Sequence, residues 1–455
     1  MSASRKYPAS CSNRAGTPLF TGPQLFGPCR VLLLCLAVLV PVAETTAQAS
    51  LSLEHALALA EARSLALPAQ DDAIHGALEL SMAARELPDP VMTFSANNVP
   101  VNGSMRYSLT EDFMTMRSIE VMQTFTRHDK RMARSARYAR EADYERAMGL
   151  VELTKLRTQT AQAWFNLYFA QRALDLLDQQ HATTRRLQAA AESAFGAATG
   201  SQGDVFAARG EVALVDDRLQ EANATIDNTR TALERWIGSY ADASLAAPPD
   251  LHTMRDFHDL DHHVFSRHAE INLLEAQANI ARAEAEIAKS EKHVDPTWSL
   301  MYSDRGGQFS DMVSIGVSVP LQWRRGQRQQ RVVASELDRA RQLSLMRQER
   351  EREHGAMIHQ WITSWQTNQR RLVAWESSLL PLAIQQRDAT ASDWQSGRGT
   401  LAEVFKTRRQ YLDLCLERLR IEQENASIWA DLAYLMPADV TDTPAITATN
   451  EGMQP

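Results

Sequence analysis

The stretch VSIGVSVPLQW, residues 313–323, alternates Val313, Ile315, Val317, Val319 and Leu321 with Ser314, Gly316, Ser318, Pro320 and Gln322. A period of two puts the apolar set on one face of an extended chain and the small and polar set on the other. The spacing therefore predicts a two-faced strand. Most of the surrounding sequence predicts helix: from Arg131 to Phe195 there is one glycine and no proline, and a continuous helix of that length is a rod of roughly 95 Å.

A duplication accounts for the strand. ELPDPVMTFSANN (86–98) matches KHVDPTWSLMYSD (292–304), with Asp89-Pro90 on Asp295-Pro296, and SIEVMQTF (118–125) matches SIGVSVPL (314–321). FGAATGSQGDVFAARGEV (195–212) matches WQSGRGTLAEVFKTRRQY (394–411), which sets Gly200 on Gly399, Ser201 on Thr400 and Asp204-Val205 on Glu403-Val404. The offsets are 206, 196 and 199, so only connecting lengths have drifted. The expected first repeat covers 50–247, with strands near 90–97 and 116–125 and a helical hairpin over 131–237 that turns at 196–203. A linker at 248–261 leads to a second repeat at 262–437, with strands near 296–304 and 312–321 and a hairpin over 327–436 turning at 396–401. Residues 438–455 read as a disordered tail. The fold class is mostly α with a small β component, in two tandem structural repeats of long coiled-coil hairpins and four strands.

Within the second hairpin, Ile358, Trp361, Trp365, Asn368, Leu372, Trp375, Leu379 and Leu382 recur at alternating spacings of three and four, the pattern of a coiled-coil seam. Pro381 interrupts this helix and is expected to kink it, at about 3 kcal/mol unless compensated. Cys415 lies on the stripe of Leu401, Phe405, Leu412 and Leu419, where a buried, inert thiol is expected.

The first 49 residues read as a signal peptide. Arg5, Lys6, Arg14 and Arg30 precede the apolar run VLLLCLAVLV (31–40), and Ala47 and Ala49 form a small-residue cleavage pattern. Ten apolar residues are too few to span a bilayer. Without the leader the chain keeps 44 basic against 55 acidic residues and one cysteine, Cys415. That acidity disfavours nucleic acid and anionic headgroups as partners. No later stretch approaches eighteen apolar residues, so a membrane crossing falls to the strands. Four strands do not close a barrel, and unpaired backbone in lipid costs several kcal/mol per group. Several copies must then share one barrel, and three copies supply twelve strands. On this reading Ile315, Val317 and Val319 face lipid, while Trp323, Arg324, Arg325 and Arg328, with Arg127, Lys130 and Arg131, fall at the inner rim. A soluble periplasmic coiled-coil scaffold capped by a small sheet fits the same alternation.

Candidate chemistry is sparse. In HTMRDFHDLDHHVFSRH (252–268), His258 and His262 are four apart and are the candidate metal ligands, but the spacing is not a recognised zinc signature and an exposed inter-repeat linker explains the segment more plainly. No nucleophile elbow, P-loop or dinucleotide-binding glycine pattern occurs in strand-turn-helix context, so neither an enzyme nor a cofactor is expected.

The duplicated plan, together with LSLEHALALAEA (51–62), the two Asp-Pro strand starts, VSIGVSVPLQW, LLPLAIQQRDATASDWQSGRGTLAEVF (379–405) and WADLAYLMP (429–437), resembles the TolC family of outer-membrane efflux channels from about 51 to 437. The resemblance implies a homotrimer whose twelve-stranded outer-membrane barrel continues into a twelve-helix periplasmic tunnel. It further implies a passive channel served by a periplasmic adaptor protein and an inner-membrane efflux pump. Carried onto this sequence, it places Glu403 and Asp204 at the periplasmic aperture and Gly200, Ser201, Val205, Gly397, Thr400 and Val404 at adaptor-docking hairpin tips. Ala198 stands where a tip glycine is expected. The layout leans towards the branch exporting heavy-metal cations such as cobalt, zinc and cadmium, and a channel for drugs or for type I protein secretion would share it.

Overall fold

A computed structural model describes residues 50–253 and 268–435. The leader, the candidate ligands His258 and His262, and the C-terminal tail lie outside the described residues. The chain runs α1 (Leu53–Arg63), α2 (Ala66–Ala83), β1 (Val91–Asn97), β2 (Met116–Thr124), α3 (His128–Gly196), α4 (Gln202–Ile237), α5 (Ala269–Ser290), β3 (Thr297–Asp304), β4 (Met312–Ser318), α6 (Gln329–Ala374), α7 (Leu380–Gln395) and α8 (Leu401–Ala433). At 69 residues, α3 is about 100 Å long. Among the described residues no helix is long and apolar enough to cross a membrane.

The strands form one antiparallel sheet in the order β1-β2-β3-β4. Phe94 faces Ile119 in the first hairpin and Leu300 faces Ile315 in the second. Moving Phe94 by 206 gives Leu300 and moving Ile119 by 196 gives Ile315, so both hairpins share one register although their connecting loops differ in length.

The largest core lies where α1 and the first strap of chain cross the long helices. Trp164, Phe165 and Leu167 of α3 pack with Leu53 and Ala56 of α1, Leu233 and Ile237 of α4, and Ala426 and Ala430 of α8. The Trp164 Nε1–H donates to the Leu51 carbonyl at 3.2 Å, and Leu51 in turn exchanges backbone hydrogen bonds with Ser244 and Ala246. These bonds tie the start of the described chain to the end of the first repeat. Farther along, α5 buries Ala276, Ala278, Ala281, Ala285 and Ala288 against its neighbours α3 and α6. Alanine there allows close helix approach with no side-chain entropy to lose.

Four expectations need correction. β4 ends at Ser318, so Val319 lies beyond the strand; its partner β3 begins only at Thr297, directly after Pro296, and Pro320 has no N–H to extend a ladder. Ahead of Pro381, residues Trp375–Leu379 form a π-helical turn in which the Leu380 N–H bonds the Trp375 carbonyl. The wider turn compensates for the proline, whose ring would otherwise meet the carbonyl four residues back. The seam is buried at Ile358, Asn368 and Leu372, but Leu379 at the end of the π turn and Leu382 beyond it are exposed, because the wider turn shifts the helix face. Cys415 is half-buried, not enclosed.

Candidate functional site

Register sorts the sheet into two chemically distinct faces. Across the four strands, Phe94, Ile119, Tyr302 and Val313 form one row, and Met92, Val121, Leu300 and Ile315 form the next. All eight are exposed, up to 74% at Ile315, with Trp298 and Val317 continuing the patch. The opposite face carries hydroxyls in contact: Ser118 Oγ lies 2.9 Å from Ser303 Oγ, and Thr124 Oγ1 2.9 Å from Thr297 Oγ1. Contiguous exposed apolar surface of this kind marks an interaction face. At the far end the two hairpin loops pack together. Gly306, with φ +84°, would bring a Cβ to 2.6 Å from the Thr110 carbonyl oxygen, so only glycine fits that crossing.

The opposite end of the sheet holds a cluster that the sequence reading misassigned. Lys130 does not sit at an exposed rim; it is 3% exposed, with Nζ 2.8 Å from Asp295 Oδ2 and 3.3 Å from Glu291 Oε2. Asp295 also accepts the Arg127 backbone N–H at 3.2 Å, and Arg134 binds Glu291 at 2.9 Å. These contacts fasten the start of α3, in the first repeat, to the α5–β3 connection of the second. The duplicated Asp-Pro pair was the available signal for Asp295; burial of Lys130 depends on Glu291, 161 positions away. Trp323, Arg324, Arg325 and Arg328 are exposed, as expected, on the β4–α6 connection.

The hairpin tips are built alike. In the first, the Thr199 and Gly200 N–H groups both bond the Ala194 carbonyl; in the second, those of Arg398 and Gly399 bond the Asp393 carbonyl. Each tip then starts its return helix with a reciprocal capping box. Ser201 Oγ accepts from the Asp204 N–H at 3.1 Å while Asp204 Oδ2 takes the Ser201 N–H and O–H, and Thr400 and Glu403 repeat the arrangement. Asp204 and Glu403 thus stand on first helical turns, where the macrodipole also favours an acid. Val205 and Val404 do not face outward: with Ala208, Leu401 and Phe405 they form the core that joins the two tips. An apolar residue following the acid falls on the helix face turned to the other hairpin. Phe195, Ala198, Ser201, Phe206, Gly397 and Thr400 are exposed, and Gly200 is half-buried.

One difference between the tips is energetic. Ala198 holds φ +55° where Gly397 holds +76°, and a left-handed backbone costs a residue with a Cβ roughly 1 kcal/mol. Ala198→Gly is expected to stabilise the first tip by about 1 kcal/mol and Gly397→Ala to weaken the second by a similar amount. Amide hydrogen exchange at Thr199 and Gly200, compared with Arg398 and Gly399, measures both changes.

Among the described residues no group of three or more histidine, cysteine, aspartate or glutamate side chains is arranged to hold a metal. The histidines that do cluster have a structural task. His268 Nδ1 accepts the Glu270 N–H at the start of α5, and its ring lies 4.4 Å from that of His354. Burial and the neighbouring His354 push the His268 pKa down to about 4, which preserves a neutral acceptor. His354 Nε2 lies 2.8 Å from Glu270 Oε2 and, chiefly through that hydrogen bond, holds the carboxyl pKa at about 2. His354 gave no sequence signal, being one residue in a long charged helix.

No protein-family model matches this chain and no curated protein matches it. Solved structures do. The outer membrane protein VceC of Vibrio cholerae superposes with a TM-score of 0.69 at 18% identity, covering 84% of this chain and 95% of that one. CusC, a protein that forms a transmembrane channel, gives 0.67 at 14% identity over 85% and 92% of the two chains. The CmeC outer membrane channel of Campylobacter jejuni gives 0.69 at 12% identity over 84% and 85%. The fold of this chain is the fold of those channel proteins.

Proposed function

We propose that three copies of this chain form a TolC-like outer-membrane channel, a twelve-stranded barrel that continues into a periplasmic tunnel of long helices. The observation that carries this reading is the sheet: one face holds two exposed apolar rows that run across all four strands, the other holds the hydroxyl pairs Ser118–Ser303 and Thr124–Thr297, and both outer edges are unpaired among the described residues. Lipid accepts the first face and a water-filled lumen the second, and only closure with further strands removes the edges. The shared fold with solved outer-membrane channels supports the same reading. Membrane fractionation followed by sizing in detergent tests it, with a detergent-solubilised trimer expected. A water-soluble monomer would return the chain to the class of periplasmic scaffolds.

Transport through this body is passive, with energy supplied by an inner-membrane pump and continuity by a periplasmic adaptor docked on the hairpin tips. The docking surface is the exposed part of the two turns, around Gly397 and Thr400 and around Ala198 and Ser201, with the buried valines supporting it from beneath. Asp204 and Glu403 supply two carboxylates per copy to the aperture at that end, and six in a trimer. The cargo class is divalent heavy-metal cations, a reading supported by the excess of acids over bases in the chain. Deleting the gene and growing cells on graded cobalt, zinc, cadmium and drugs tests the cargo. Sensitivity to the metals is expected, and unchanged tolerance to all of them removes this class.

A further inference from the structure

Among the described residues of one chain, the outer sides of β1 and β4 are unpaired. Resting on the shared-barrel reading, we infer that β4 of one copy pairs with β1 of the next in one specific register, Ser318 opposite Thr93, and that Asp89 there binds the arginines following β4.

The register follows from the seam already present inside the chain. The β2–β3 seam joins the second strand of repeat one to the first strand of repeat two; a β4–β1 seam between copies joins the same two kinds of strand. Met122 faces Ser299 across the internal seam. Shifting Met122 by 196 and Ser299 by 206, the offsets that relate the two hairpins, gives Ser318 and Thr93. The same transfer turns the Phe125 N–H bond to the Pro296 carbonyl, 2.9 Å long, into a bond from the Leu321 N–H to the Pro90 carbonyl of the neighbour. It also gives Val319 the partner it lacks in the single chain, Met92.

Pro320 is compatible with such a seam. Its internal counterpart is Thr124, opposite Thr297. Because Phe125 bonds across the seam, Thr124 occupies a non-hydrogen-bonded pair and its N–H points away from β3. A proline in that place sacrifices no bond between the copies. A slip of one residue would set hydrogen-bonding residues of one strand opposite non-bonding residues of the other and invert the apolar face.

Charge gives an independent mark. Before β3, Asp295 binds Lys130 and the Arg127 N–H from the start of α3. Its counterpart Asp89 is exposed and has no partner among the described residues. Arg328 is the N-cap of α6 as Arg127 is of α3, so Arg331 matches Lys130 when counted from the helix start, although the connection from β4 to α6 is longer than that from β2 to α3. Arg324, Arg325, Arg328 and Arg331 are all exposed and none has a carboxylate partner among the described residues. A slip of two residues moves them roughly 7 Å along the seam from Asp89.

Cysteine pairs in the full-length chain, expressed in membranes with Cys415→Ser, test the register. Thr93→Cys with Ser318→Cys forms a non-hydrogen-bonded pair, whose Cα separation of about 4.5 Å suits a disulfide. Oxidation with copper phenanthroline is expected to give covalent dimers and trimers on denaturing gels, at least tenfold above Thr93→Cys with Val317→Cys or with Gly316→Cys. Stronger linking in either slipped pair, or a detergent trimer that links in none, overturns the register while the shared barrel stands. A soluble monomer that links in none overturns both. For the ion tie, Asp89→Arg is expected to lower trimer recovery several-fold and Asp89→Arg with Arg331→Asp to restore it. Unchanged recovery in the first, or no restoration in the second, removes the tie between these two residues.

Discussion

Arginine in place of Ile315 is expected to eliminate the assembled channel from the outer membrane, whereas arginine in place of Ser314 is expected to leave it there. Ile315 is 74% exposed in the row with Met92, Val121 and Leu300. A basic side chain on a barrel's lipid face costs about 2–4 kcal/mol at the midplane and much less near either interface. Three copies bring the cost to roughly 6–12 kcal/mol per trimer, comparable with the whole stability of an ordinary domain. Val317 is the weaker position for this substitution, because its row contains Gln123 and lies next to the end of the sheet. Gly316 is a poorer control than Ser314, since a Cβ there would approach Ser299 Oγ to 2.8 Å and force the hydroxyl to turn. Quantifying trimer in outer-membrane fractions should show at least a tenfold loss for Ile315→Arg and less than a twofold change for Ser314→Arg. Equal recovery of the two would place the apolar face against something other than lipid.

That contrast was available from the sequence because a strand's period is two and any half-buried strand must declare its faces. Duplication added the register: once Asp89-Pro90 was set on Asp295-Pro296 and Ile119 on Ile315, the two hairpins had to pair alike. The tips were legible for the same reason, as Ser201-x-x-Asp204 and Thr400-x-x-Glu403 are local capping patterns whose partners lie three residues apart. What remained hidden depended on distant segments. Val205 and Val404 follow the tip acids and looked like docking residues, but their surroundings come from the other hairpin. The last residue of β4 was set by where β3 begins, and Val319 reads as strand only when a neighbour is supplied. Pro381 announced a disturbance without saying that a π turn would absorb it. A basic residue shortly after a strand looked like a rim anchor when only its neighbours in sequence were visible, and Lys130 is where that inference failed.

The buried position of Lys130 makes the second large effect. Asp295→Ala is expected to destabilise each copy by about 3–5 kcal/mol, because it removes the nearer of two carboxylates and leaves an ammonium 3% exposed beside Glu291 alone. It also withdraws the acceptor of the Arg127 N–H at the start of α3. Neutralising the cation instead should be far milder. Lys130→Met keeps most of the side-chain volume, and Glu291 retains Arg134 at 2.9 Å, while Asp295 is 17% exposed and keeps the backbone bond. Combining the two substitutions should therefore recover much of what Asp295→Ala loses, since the buried charge that makes the single change expensive is gone. The temperature at which the detergent-solubilised assembly dissociates, followed for all four members of the cycle, reads the coupling. A double variant no more stable than Asp295→Ala would mean that the aspartate acts through the Arg127 backbone and the strand start, with the lysine a bystander. A double variant close to Lys130→Met would identify the ion pair as the link that holds the first repeat's long helix to the second repeat's strand.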